Sequence, residues 1–183
     1  ACFDPEMTGD FDISTADAKT FEFKWDENEN GTYEAGTVEE LEYKIDTGSH
    51  EIQRQGNALA YNVDDLGFAY AYDADGDGIV EKDGGNIIWA VENSATGNWF
   101  DLDTDNDGDI DADDTAGGAD TGTSVDPKDI RAVKVWVLIR AAQRDRDYSN
   151  SHTYVVGATH NTPADNYRRR LGQTTIKLRN AGL

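Results

Sequence analysis

The sequence predicts a mainly β or α+β fold, an antiparallel sheet interrupted by long acidic loops. Three observations carry this expectation. Short segments alternate apolar and polar residues with the period of two that a half-buried strand requires. One longer run, 130–140, carries apolar residues on both faces, as a strand partly covered on both sides would. Two stretches rich in Asp and Gly each begin where an aromatic strand ends. At 183 residues the chain is long enough for one real core. A single domain over 1–183 is expected, with an acidic loop region, 73–126, inserted between strands.

In chain order, Phe3 to Phe11 reads as a loop punctuated by Pro5 and Gly9, and Ser14 to Asp17 as the cap of a short turn. Phe21, Phe23 and Trp25 alternate with Glu22 and Lys24, and Leu41, Tyr43 and Ile45 repeat the pattern. Asp26 to Gly31, between them, is expected to be a hairpin turn, although Asp26, Asn28, Asn30 and Gly31 faintly echo a calcium loop. Glu51 to Arg54 adds a strand to this meander. Residues 57–66 fit either a strand or a helical turn. Phe68 to Tyr72, Ile87 to Val91 and Trp99 to Leu102 read as extended. Thr115 to Asp126 reads as a flexible loop without core residues.

The run from Ile130 to Arg140 should be a central strand. Val133, Val135, Val137 and Ile139 lie on one face, and Ala132, Lys134, Trp136 and Leu138 on the other. A polar loop from Gln143 to Asn166 leads to a closing strand within 167–180, where Thr174, Ile176 and Leu178 alternate with Thr175, Lys177 and Arg179.

The chemistry concentrates in 103–114. Asp103, Asp105 and Asp107 occupy the first, third and fifth places of a calcium loop, Gly108 the sixth where such a loop turns, and Ile110 the small apolar position. In a regular loop the Asp109 carbonyl would be the backbone ligand, Asp111 would act through water and Asp114 would close the shell. Three carboxylates about 5 Å apart repel by roughly 3 kcal/mol per pair at an effective dielectric near 20, so a cation is expected to hold them. Hard oxygens without His or Cys suit Ca2+ better than zinc or copper. A second loop, 73–84, offers Asp73, Asp75 and Asp77, the Ile79 carbonyl and Glu81, with Gly84 at the twelfth place, so that Asp83 or a distant acid must complete the shell.

A formal charge of −21 argues against nucleic acid or an anionic membrane surface as partner. Residues 128–183 nevertheless hold 11 Lys and Arg against 4 acids, leaving 5 against 33 before them, so the two parts should attract each other. Cys2 is the only cysteine, which excludes an internal disulfide. Weak calcium loops need millimolar calcium, so an extracellular setting is expected.

The opening Ala1-Cys-Phe-Asp-Pro5, the strand Phe21-Glu-Phe23, the strand Ile130-Arg131-Ala132-Val133-Lys134-Val135 and the ending Tyr167 to Arg170 through Leu178-Arg179-Asn180 resemble PilW-type minor type IV pilins. The resemblance implies a pilin-like β-rich head whose N-terminal anchoring helix is absent from this chain. It further implies a non-enzymatic subunit that primes pilus assembly or sits at the tip, meets other minor and major pilins and a surface or host target, and is anchored in the inner membrane before assembly through that helix. Type II secretion pseudopilins share the architecture.

A calcium-dependent extracellular binding module, dockerin-like or carbohydrate-binding, is the other class. No amphipathic helix follows Gly84 or Asp114, unlike in a dockerin, and exposure of Trp89, Trp99 or Trp136 would favour sugar binding. His50, His152 and His160 are isolated in polar stretches and read as solvated, with no nucleophile elbow and no HExxH helix. Arg168, Arg169 and Arg170 read as partners of the acidic part.

Overall fold

Alternation of apolar and polar residues resolves into two antiparallel sheets and two small hairpins in the computed structural model, which describes residues 12–26, 28, 30, 37, 39–93 and 95–178. The first sheet is a meander in chain order, β1 (Asp12–Ala16), β2 (Thr20–Lys24), β3 (Glu40–Asp46), β4 (Glu51–Arg54) and β5 (Asn57–Tyr61). The second contains β6 (Val63–Tyr72), β9 (Ala90–Glu92), β10 (Trp99–Asp101), β11 (Ala119–Asp120), β12 (Ile130–Arg140) and β15 (Arg169–Lys177), in the order β11-β10-β9-β6-β12-β15. Two hairpins, β7 (Lys82–Asp83) with β8 (Asn86–Ile87) and β13 (Tyr154–Val156) with β14 (Thr159–Asn161), complete the architecture. The fold is mainly β: among the described residues the one helical element is a 3-10 turn at Pro127–Asp129.

The central position of 130–140 is as expected, because β12 pairs with β6 on one side and β15 on the other. Trp136 and Leu138 on one face are buried, whereas on the other face exposure rises along the strand to Ile139. The ambiguous stretch 57–66 is two strands. Asn62, at φ 60, turns the chain between them and carries it from the meander into the second sheet. The sheets meet where Phe21 packs on Phe68 and Tyr70, with ring centroids 5.9 and 6.0 Å apart. Tyr70 also donates its hydroxyl hydrogen to the Asp17 carbonyl at 3.0 Å.

Several expectations need correction. Asp17 caps the short turn into β2 as expected, its carboxylate accepting from the Lys19 amide at 2.7 Å and the Thr20 amide at 2.5 Å, but Ser14 to Ala16 belong to a strand and not to the turn. Ile13 and Ala16 are buried, and β1 pairs with β2, so burial of two apolar residues overrides the capping preference of Ser14 and Thr15. The stretch 115–126 does contribute to the core through Val125, and Thr121 donates both its amide and its hydroxyl to the Trp99 carbonyl. The polar loop 143–166 contains the buried Tyr154, Val155 and Val156, which pack over Gly67, where a Cβ would lie 2.7 Å from the Val156 carbonyl oxygen. Ile87 to Val91 is not one strand, since 88 and 89 separate β8 from β9. His50 is half-buried rather than solvated, with Nδ1 3.2 Å from Asp64.

Trp89, Trp99 and Trp136 are all buried, so none of them offers an exposed platform for a sugar. The antiparallel pairing of β2 with β3 is the expected hairpin, whose Gly31 lies outside the described residues, as do Phe3 to Phe11, Cys2 and the opening Ala1 to Pro5. Among the described residues no helix is long and apolar enough to cross a membrane.

Candidate metal centre

Both acidic loops hang from strands of the second sheet. Asp73 follows β6 directly, and Asp103 follows β10 after one residue. Each loop's first Asp is buried, because the preceding aromatic strand carries it into the protein: Asp73 is 1 % exposed and Asp103 6 %. A buried carboxylate must be hydrogen-bonded, and both are, in the same way. Asp73 accepts the Gly78 amide at 3.0 Å, and Asp103 accepts the Gly108 amide at 2.8 Å.

The next turns also repeat. Asp75 accepts from the Asp77 amide and Asp105 from the Asp107 amide, at 3.1 and 3.3 Å, while Asp77 accepts from Ile79 and Asp107 from Asp109, at 2.7 and 2.9 Å. The shared pattern of Asp at alternate places and Gly at the sixth thus folds twice into one backbone shape. Gly78 and Gly108 supply the left-handed turn, with φ 84 and 98, that a side chain would resist.

The loops differ in which acids converge. In the first, carboxylate oxygens of Asp73, Asp75 and Asp77 lie within 4.8 Å of one another. In the second, the converging group is Asp103, Asp105 and Asp114. Asp114 is buried, accepting from the Thr104 amide at 2.5 Å and from the Asp111 amide at 2.8 Å, which folds the loop's end back over its start. Asp107 and Asp111 engage the amides of Asp109 and Asp113 and stand outside that group, as does Asp109. In the first loop Glu81 accepts from the Ala74 amide at 3.2 Å, Ile79 is exposed, and Asp83 sits on β7.

The electrostatics follow from crowding. The Asp105 carboxyl, though exposed, is held above its ordinary value by partial desolvation among its neighbours and by the charges of Asp107, Asp114 and Asp103. Asp101, at the loop's entrance, is pushed up to about 6 by burial, with the charges of Asp103 and Asp83 adding to it. Asp73 behaves oppositely: burial raises it, but the amides of Gly78 and Gly76 and the Arg131 guanidinium outweigh this and leave it below its usual value. Arg131 stands 3.3 Å from Asp73 and so already neutralises part of the first loop.

Sequence reasoning missed three participants. Arg131 is distant in sequence and reaches Asp73 only because β12 lies beside β6. Lys134 is held over the rings of Trp89 and Trp136, 5.4 Å from each centroid; burial lowers its pKa, and the nearby charges of Asp109 and Asp103 offset this in part. Asn86 joins the two loops, its amide donating to the Asn106 carbonyl at 2.8 Å. The alternating acids gave no hint of that contact, because it depends on how the β7–β8 hairpin folds back.

These residues fit a hard divalent cation: two groups of three carboxylates, without nitrogen or sulfur donors, around backbone that already turns as a ligand loop would. The setting is a strand leading into a loop, unlike the helix-loop-helix of an EF-hand.

The family model described as type IV pilus-assembly protein W matches residues 88–180. Searches of curated proteins and of solved structures return no match. The matched segment takes in the 103–114 loop, the central strand β12 and the closing strand β15, whereas 73–84 and the meander precede it. With half of its length so matched, the chain belongs to the type IV pilus-assembly protein W family, and its role lies in the assembly of type IV pili.

Proposed function

We propose that this chain is the head of a minor pilin, exposed at the cell surface, whose acidic loops are ordered by Ca2+ for contact with neighbouring pilins. The observation that supports this best is an open apolar groove of about 430 Å³ between the two sheets. Phe21, Phe23, Tyr43 and Ile52 line it from the meander, and Phe68, Val133, Val135, Val137 and Ile176 from the second sheet. A domain that ends its life alone in water does not keep such a surface. An apolar helix, of the kind the pilin resemblance implies, would cover its apolar lining.

The calcium half of the reading rests on the paired three-carboxylate groups. A cation relieves their mutual repulsion and locks the loops, so an acidic surface becomes a defined one. In the source cells, Val135→Asp is expected to abolish pilus assembly while the purified 183-residue chain carrying it keeps its wild-type circular dichroism. Normal piliation by that variant would overturn the pilin-head reading. Calorimetric titration of the head with calcium chloride tests the other half, and an absence of binding at millimolar calcium would remove it.

A further inference from the structure

The two large sheets have four outer edges, and three of them are blunted. β11 is two residues long, β1 has a register shift between Ile13 and Thr15, and the β4–β5 ladder shifts between Ile52 and Gln53. Short or irregular edge strands of this kind prevent unwanted pairing. β15 is different. It runs for nine residues against β12, matched one to one from Arg169 to Lys177 without a shift.

Its orientation can be read from one bond. The Leu178 amide donates to the Arg131 carbonyl at 2.9 Å, so in an antiparallel ladder the even-numbered residues of β15 turn their N–H and C=O towards β12. The amides and carbonyls of Leu171, Gln173, Thr175 and Lys177 therefore point away. Among the described residues nothing pairs with them.

Side chains define what could. Gly172, Thr174 and Ile176 lie opposite Val137, Val135 and Val133, and a shallow cleft of about 300 Å³ runs between Val135, Val137, Ile139 and Gly172. A Cβ added at Gly172 would meet nothing within 4 Å, and Ile139 and Ile176 are half-exposed. A strand laid alongside would find apolar ground for alternate residues. Towards the two ends stand Arg170 and Lys177, which make no ion pair among the described residues, in contrast to Arg168 and Arg169. A second copy pairing through the same edge would bring these like charges together, Arg170 near Lys177 if antiparallel and Arg170 near Arg170 if parallel.

We propose that β15 is a strand-addition edge that accepts an extended segment of another protein, apolar at alternate positions and acidic at its ends. Four outward N–H and four outward C=O groups supply the affinity, and Arg170 and Lys177 select the charge.

The test uses the head with a capped nonapeptide of alternating valine and threonine bearing glutamate at both ends, and the same peptide with lysine ends. The glutamate peptide is expected to slow amide exchange at Leu171, Gln173, Thr175 and Lys177 by at least about tenfold, and to bind at least about tenfold more tightly than the lysine peptide. Thr175→Pro removes an N–H that faces away from β12, so the melting temperature should hold while the protection disappears. The exposed double change Arg170→Glu with Lys177→Glu should invert the preference between peptides, an independent arm should the proline variant fail to fold. Overturning results are no protection at millimolar peptide, equal binding of both peptides, protection that survives Thr175→Pro, or self-association of the head through β15.

Discussion

At the scale of single residues, position in the fold decides what each carboxylate does. Asp105 is exposed and crowded by three other acids, whereas Asp165 is gripped by Arg169 through two bonds of 2.6 and 2.7 Å. Asp105→Asn removes a repelling charge and a proposed calcium ligand together. Its melting temperature in chelator should equal or slightly exceed wild type, while calcium affinity falls about tenfold, measured by calorimetry and thermal melts. Arg169 lowers the Asp165 carboxyl from 3.8 to about 2. Because this pKa is depressed in the folded state, the pair stabilises fully above the unfolded value of 3.8 and is lost as pH falls through about 2. Asp165→Asn should be less stable at neutral pH and show a shallower loss of stability across that acid window, followed by urea unfolding at several pH values.

Elements impose constraints that no side chain shows alone. Gly67 in β6 lies beneath the β13–β14 hairpin, with backbone oxygen 2.7 Å from where a Cβ would be. Gly67→Ala must push the hairpin away, at about 1–3 kcal/mol, readable in a urea midpoint. The hairpin β7–β8 couples the loops in the same sense. Asn86→Ala deletes its bond to Asn106 and should cost about 1 kcal/mol, with faster amide exchange across 103–114 as the local signature.

Charge acts on the molecule as a whole. With a net −21 the protein repels itself, and only part of that is met internally, where Arg140 and Arg169 reach Asp64 and Arg131 reaches Asp73. The expected attraction between the basic C-terminal part and the acidic remainder is thus realised at a few part-buried contacts; Arg168 instead pairs with Asp145 in its own part. Added sodium chloride should therefore raise the melting temperature in chelator, and the proposed calcium binding, by neutralising the densest clusters, should make that rise smaller in calcium. A scan across salt concentrations with and without calcium measures both slopes.

Local pattern determined a good deal of this protein. Alternation placed β2, β3, β4 and β12, because side chains on a strand change face at every residue and burial selects one parity. The Asp and Gly spacing located both acidic loops, since their Asp-to-amide turns are made within a run of consecutive residues and need no distant partner. The fragments 130–135 and 167–180 likewise pointed to the family, and the matched segment contains both in full. Tertiary structure alone decided the rest. β1 and the hairpin around Tyr154 are strands because burial outweighed the turn and polar character of their sequences. That Arg131, Lys134 and Asn86 stand beside the acids follows from strand order: β6 next to β12 and the β7–β8 hairpin folded onto 103–114 are long-range pairings that no local pattern encodes.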